Sequence, residues 1–353
     1  MTVEPATTWP AGLPTGTGRL EHVQLGAFET DSGTVLPRLT VGYRHDGRPP
    51  GDGPQVLVVH ALTGSADAAG DWWEPLIGPG RALDTDRYGV VCANLLGGRY
   101  GTTGPTSTDP RTGAPYGASF PAITTADQAR VHWRLLDALG IERLAFVLGG
   151  SLGGMVSLEV ASQRPSAVAH VMPIAAPAAT GPLAIAWNHI QIEVLDRLGL
   201  DGLAIARQLA MTTYRSEIDF DERFGRSVEP DGVPSIVSYL DHQGAKLVER
   251  FDPDTYRTLA GAMDRHDIGA RRGGLAGAFE RLARAGVRLT GVGIEGDILY
   301  GPRQVGGDVR IATQAGVDAR YREIRSSKGH DAFLVEWDQL DAMVREALTD
   351  GTH

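Results

Sequence analysis

Short, unbroken apolar runs separated by amphipathic stretches organise the first half of the chain. The clearest is Gln55-Val56-Leu57-Val58-Val59-His60, followed by similar runs over residues 88–93 and 144–148. Each is bounded by turn residues and lacks polar alternation, as in a strand buried on both faces of a parallel sheet. Between the last two, residues 126–139 carry a helical period that stops at Gly140, a C-cap position. A further helix is predicted from Met155 to Arg164, halted by Pro165, and strand character returns over 168–174. Upstream, residues 22–28 and 36–43 flank Asp31-Ser32-Gly33 and read as a β-hairpin. A Gly/Pro-rich linker, 46–54, joins it to the first buried run. Strands alternating with helices predict a doubly wound α/β sheet.

The pattern changes near residue 181. To about residue 285 the period is helical, most clearly over 184–198, 203–211 and 253–263, with no convincing parallel strand. Sheet character resumes over 287–294 and 320–324, and a last amphipathic helix is expected over 332–348. The organisation predicted is a core from 1–180 and 286–353, with a helical insertion at 181–285. A helical segment set between strands of one sheet is what a lid over an active site looks like. No repeat of solenoid or propeller period is present.

Composition narrows the function classes. The chain has 353 residues, 42% of them hydrophobic and 22% charged, enough for a full core. A net charge of -10 and a pI near 5.5 argue against nucleic-acid or anionic-membrane binding. They fit a cytoplasmic enzyme of small-molecule substrates. The single cysteine, Cys92, cannot form an intrachain disulfide and lies in an apolar run, the place of a buried strand residue rather than a catalytic thiol. Residues 1–20 lack the charged and apolar regions of a signal peptide, and no apolar stretch is long enough to span a bilayer.

The candidate chemistry begins at Gly149-Gly150-Ser151-Leu152-Gly153-Gly154. In a chain with 46 glycines, Gly-x-Ser-x-Gly arises too readily by chance to stand alone. Here it follows an apolar strand directly and opens a helix, the strand–turn–helix setting of the nucleophile elbow of an α/β-hydrolase fold. That fold has a mostly parallel central sheet, and the helical insertion would be its lid. A Walker loop is excluded, because Gly-Lys-Ser/Thr is absent. A serine hydroxyl needs a base oriented by an acid. In this fold the order is Ser, acid, His, with the last two on loops after later strands. Asp297 and His330 occupy those places; Glu295 is the competing acid. Of the other histidines, His60 ends a strand and orients its loop. His22, His45 and His353 are peripheral, and His132, His170, His189, His242 and His266 lack the topological position. The Leu152 N–H, at a helix start, and the Leu62 N–H, after the strand ending at His60, are the expected oxyanion donors. Metal-binding spacing of the His-Glu-x-x-His type is absent.

Longer stretches go beyond the fold. They include His60-Ala61-Leu62-Thr63-Gly64, Leu83-Asp84-Thr85-Asp86-Arg87-Tyr88, Asn94-Leu95-Leu96-Gly97-Gly98 and Gly101-Thr102-Thr103-Gly104-Pro105. Tyr239-Leu240-Asp241-His242-Gln243-Gly244 and Gly329-His330-Asp331-Ala332-Phe333-Leu334 continue the series. In these the chain resembles the homoserine O-acetyltransferase family over roughly residues 20 to 348. The resemblance implies a ping-pong acyl transfer through Ser151, with acetyl-CoA as co-substrate, no bound cofactor, and a homodimer formed through the lid helices. It implies that Arg207 clamps the carboxylate of the amino acid, assisted by Tyr214, and that Asp331 binds its α-ammonium.

The sequence departs from the family pattern in three places. Arg99-Tyr100 stands where a cysteine is common, Thr125-Ala126-Asp127-Gln128 replaces a more apolar helix start, and the lid between Trp187-Asn188 and Gly202 is about a dozen residues shorter. A changed lid leaves serine or a secondary metabolite open as acceptor, and water as the acceptor of an ester hydrolase.

Overall fold

The computed structural model describes residues 19–349; residues 1–18, most of the stretch read as lacking a leader, and His353 lie outside them. Eight strands form the central sheet: β1 (Glu21–Gln24), β2 (Thr40–Gly47), β3 (Gln55–Val59), β4 (Gly89–Ala93), β5 (Phe146–Gly150), β6 (His170–Ile174), β7 (Arg288–Ile294) and β8 (Asp318–Ile324). Their order is β1-β2-β4-β3-β5-β6-β7-β8. β1 and β2 join antiparallel, β2 meets β4 antiparallel, and the remaining pairs are parallel.

The apolar runs have a direct structural cause. Leu57 and Val59 face one core while Val56 and Val58 face the other, as the two-residue period of a strand requires. Val91 and Val147 join the first core, and Val90, Cys92, Phe146 and Leu148 the second. Cys92 is buried and free, and burial pushes its thiol pKa up, so it is no nucleophile. The sheet's β8 edge is different: its residues alternate between exposed and half-buried until Ile324.

Helices α1 (Thr125–Ala138), α2 (Leu152–Gln163), α8 (Gly274–Arg284) and α9 (Pro302–Gln314) pack in succession over the first core. On the opposite face, α10 (Trp337–Thr349) contributes Leu340 and Val344 to the core around Trp73 and Phe333. A full capping box at Thr124 and Asp127 starts α1. Between β6 and β7 lie α3 (Pro182–Leu198), α4 (Leu200–Tyr214), α5 (Glu217–Arg223), α6 (Ser235–Val248) and α7 (Pro253–Asp264). α3 and α4, over the stretch read as a shortened lid, form a helical hairpin with Gly199, at φ 59°, as its one-residue joint. The helices touch closely there, because a Cβ on Gly202 would strike the Val194 carbonyl.

Two elements differ from the sequence expectation. The Asp31-Ser32-Gly33 turn closes only a short ladder between Phe28–Glu29 and Val35–Leu36, while β1 pairs with β2 beyond it. Gly26, at φ 74°, separates the two ladders. The helix expected over 332–348 is also divided, into a tight 3-10 turn, Gly329–Leu334, and α10. The turn is fixed by burial of Ala332 and Phe333 and by the Trp73 indole, whose Nε1 donates to the Phe333 carbonyl at 2.9 Å.

A buried ion pair ties the loop after β3 to the sheet: Arg44 of β2 meets Asp67, whose Oδ1 also accepts from the Gly70 N–H at 3.0 Å. Replacing Arg44 by Met would strand a buried carboxylate and cost about 3–5 kcal/mol. Urea unfolding should show this loss, and the Arg44→Met/Asp67→Leu double variant should recover most of it. Equal stability of the Arg44→Met variant and the parent would contradict the role given to the pair.

Candidate active site

Ser151 sits between β5 and α2 in a strained backbone conformation, φ 57° and ψ −126°. The surrounding packing leaves it no other. A Cβ on Gly149 or Gly153 would collide with the Val59 carbonyl of β3, and one on Gly154 would meet the Ala176 side chain. The Ser151 N–H donates to the Ile174 carbonyl at 2.9 Å, fixing the turn to β6 as well. The strain is the kind that surrounding structure must over-determine, and here it fixes Ser151 at the end of β5.

His330 stands over this elbow. The Phe333 ring of its own turn covers Gly150, where a Cβ would fall against the ring, and the same ring meets the imidazole edge-on at 5.7 Å. The His330 Nδ1–H donates to Asp297 Oδ2 at 2.8 Å. Asp297 Oδ1 accepts from the N–H groups of Leu299 and Tyr300 at 2.8 and 3.1 Å, so both carboxylate oxygens are held. Glu295, the alternative acid, is exposed and has no such contact. His330 Nε2 is buried without a hydrogen-bond partner, which makes it the nitrogen able to exchange a proton with a reacting group. Burial alone would lower the His330 pKa. The charge and hydrogen bond of Asp297, with Asp331 adding to them, outweigh burial and raise it above the ordinary imidazole value.

Of the two expected oxyanion donors, Leu152 directly follows the serine and Leu62 lies in the loop after β3. Leu152 is the first residue of α2, where an N–H has no acceptor within the helix. Leu62 lies in the loop that His60 braces: its Nδ1 donates to the Ala61 carbonyl at 2.7 Å and its Nε2 accepts from the Leu95 N–H at 3.1 Å. Burial drives the His60 pKa to about 4, so the ring is neutral and this tautomer persists. His132 and His266 are likewise buried, with pKa values near 4, and hydrogen-bond to the Gln128 carbonyl and to Thr125 respectively. They are structural side chains.

The polar residues expected to hold a substrate gather around the same imidazole. Tyr214, at the end of α4, has its ring 5.7 Å from that of His330, and the Arg207 guanidinium lies 5.4 Å from the Tyr214 centroid. Asp331 follows His330 in the turn and forms an ion pair at 3.3 Å with Arg215, which no sequence signal had singled out. Burial raises the Asp331 pKa against the lowering pull of Arg215, His330 and Arg207. Tyr300 and Tyr256 were also not foreseen: the Tyr300 ring is 5.6 Å from His330 with its hydroxyl buried and unpartnered, and the Tyr256 hydroxyl donates to Gln191 Oε1 at 2.5 Å. Adjacency of Tyr300 to the Asp297 loop was the available clue. Among the described residues no group of three or more His, Cys, Asp or Glu side chains is placed to hold a metal ion.

Comparison with known proteins bears on this arrangement. The α/β hydrolase fold family model matches residues 54–231. A homoserine O-acetyltransferase of Moorella thermoacetica is 42% identical to this chain over 91% of it and 93% of the relative. One from Thermus thermophilus is 43% identical, over 90% and 88%. The chain belongs to the homoserine O-acetyltransferase family. Its fold agrees: the crystal structure of homoserine O-acetyltransferase from Bacillus anthracis superposes with a TM-score of 0.88, at 24% identity, covering 95% of this chain and 98% of that one. This member of the homoserine O-acetyltransferase family thus carries a serine elbow and an Asp–His pair on an α/β-hydrolase sheet.

The raised His330 pKa fixes the expected pH dependence. General-base attack needs neutral imidazole, so acylation of Ser151 should rise with pH through a midpoint above 6.5. In the Asp297→Asn variant the main raising influence is gone, so the midpoint falls, and the rate drops by roughly 10⁴-fold through loss of the tautomer. Stopped-flow acylation by an activated ester across pH measures both. An unchanged midpoint in Asp297→Asn would contradict the assignment.

Proposed function

We propose that the protein transfers the acetyl group of acetyl-CoA, through a Ser151 acetyl-enzyme, to the side-chain hydroxyl of L-homoserine, a step towards methionine. The observation that carries the reading is the His330 imidazole: backed by Asp297, its Nε2 buried and free, with Arg207, Tyr214 and Asp331 grouped around it. A hydrolase needs only the first part of that arrangement. Groups of both signs beside the base suit an acceptor with a carboxylate and an ammonium, and relatives of this chain are homoserine O-acetyltransferases.

The steps balance without a bound cofactor. Ser151 Oγ attacks the thioester carbonyl as its proton passes to His330 Nε2, and the Leu62 and Leu152 N–H groups take the developing oxyanion. The C–S bond breaks, and the proton moves from Nε2 to the departing sulfur. The homoserine hydroxyl then gives its proton to Nε2 and attacks the acetyl carbonyl, and Ser151 recovers the proton as its ester bond breaks. Arg207 would fork onto the α-carboxylate, where planar bidentate pairing is strongest. Asp331 Oδ2 is paired to Arg215, leaving Oδ1 for the ammonium. Held there, the amine stays protonated and does not compete with the hydroxyl.

A homodimer through the lid accords with the surface of α3 and α4, where Leu183, Ile190, Leu198, Leu200 and Ile205 are exposed. None of the described helices is long and apolar enough to cross a membrane, and a reaction drawing on acetyl-CoA suits the cytoplasm.

Release of CoA from acetyl-CoA should depend on homoserine; release at the same rate without any amino acid would make the protein a hydrolase. Arg207→Ala should raise the KM for homoserine about tenfold or more, the value of one charge-assisted hydrogen bond, while sparing the acylation burst. An unchanged KM would remove Arg207 from the clamp. The Ile190→Glu/Leu200→Glu variant should sediment as a monomer where the parent sediments as a dimer; a monomeric parent would contradict the lid interface.

A further inference from the structure

Away from the elbow, the α1–α2 face carries a cavity of about 970 Å³, bounded by the Phe28–Ser32 hairpin, the start of α1, the far end of α2, the loop after α7, and α8. Seven arginines line it against four carboxylates, in a chain whose net charge is -10. Such a concentration of guanidinium groups is not explained by ion pairing alone. Four of the seven are engaged. Arg164 grips Asp137 with two bonds of 2.6 and 2.7 Å, and Arg272 grips Glu159 at 2.8 and 3.2 Å. Arg130 pairs with Asp31 and Asp127, and Arg134 donates to the Ala27 carbonyl at 2.7 Å.

The other three keep donors to spare: one has no ion pair, one holds a single carbonyl, and one stands at the limit of an ion pair with Asp31. Arg281 is exposed on α8 and makes no ion pair with any described residue. Arg265 has only the Gly261 carbonyl, at 2.6 Å. Arg271 stands 80% exposed with Asp31 no nearer than 3.7 Å, on a backbone held at φ 61°. A non-glycine residue in that conformation is strained, and strain of this kind collects where a segment is shaped for a ligand. A separate observation points the same way: Ser162, 1% exposed and in the wall of the cavity, has a hydroxyl without any partner. A volume of this size is that of a small-molecule site.

We propose that this cavity binds a small anion bearing two or more phosphate groups, held by the forks of Arg265, Arg271 and Arg281 with Ser162 in the wall. The engaged arginines and their carboxylates form a preorganised floor, and planar guanidinium groups match phosphate oxygens two at a time. The site is distinct from the catalytic one. α2 begins at the nucleophile, and Ser162 is eleven residues further on, roughly 16 Å along the helix.

Calorimetric titration with inorganic pyrophosphate at low ionic strength tests this directly, and it requires no acyltransferase activity. One saturable site per chain is expected, with Kd of roughly 0.1 mM or tighter. Arg271→Ser/Arg281→Ser, both exposed positions that leave the fold intact, should weaken it at least about tenfold. Arg207→Ala should bind as the parent does. No saturable binding, equal affinity in the double variant, or loss in Arg207→Ala would each overturn the proposal, the last by placing the anion in the active site. A parallel titration with ATP separates sources: tighter binding than pyrophosphate indicates a nucleotide, equal binding the free polyphosphate.

Discussion

Closeness of backbone to backbone at the Val59 carbonyl is the constraint on which the site depends. β3, β5 and the first turn of α2 converge there so tightly that Gly149 and Gly153 have no space for a Cβ. That convergence holds Ser151 in its positive-φ turn, and the turn leaves the Leu152 N–H at a helix start without an acceptor in the helix. The same strand, β3, leads into His60, whose neutral ring holds the loop carrying Leu62. Ser151, Leu152 and the loop of Leu62 are therefore all tied to β3, and the Arg44–Asp67 pair stiffens that loop further.

The base is positioned from the other side, by contacts shared between the lid and the sheet. Its turn packs beneath the end of α4, where a Cβ on Gly329 would strike the Ser216 nitrogen, and Ser216 Oγ donates to the Ser327 carbonyl. Lys328 reaches the buried Asp219 of α5 at 2.7 Å, and Arg215 links Asp219 to Asp331. α4, which carries Arg207 and Tyr214, is thereby mechanically joined to the His330 turn.

Much of this was legible in the sequence because burial on both faces leaves no choice of residue. The runs of β3, β4 and β5 had to be apolar throughout, and the elbow glycines had to lack side chains. Asp297 and His330 could be placed because strand order alone determines which loops meet. Elsewhere the signal was weak for physical reasons. α6 buries only Gly244 and Leu247 fully, so its apolar face is only partly covered and its signal is weaker than that of a core helix. The early end of the hairpin ladder turned on one glycine, Gly26. Arg215 takes its place from a tertiary contact between α4 and the His330 turn, and the arginine-lined cavity collects residues from position 28 to 281, so neither has a local pattern.

The account rests on a covalent acetyl group at Ser151. Intact-protein mass spectrometry after brief mixing with acetyl-CoA, followed by peptide mapping, observes it directly. One acetyl group per chain on the peptide containing Ser151, discharged on adding homoserine with formation of O-acetylhomoserine, is the predicted result. Product formed with no acetylated enzyme at any time, or an acetyl group that homoserine fails to remove, would contradict it.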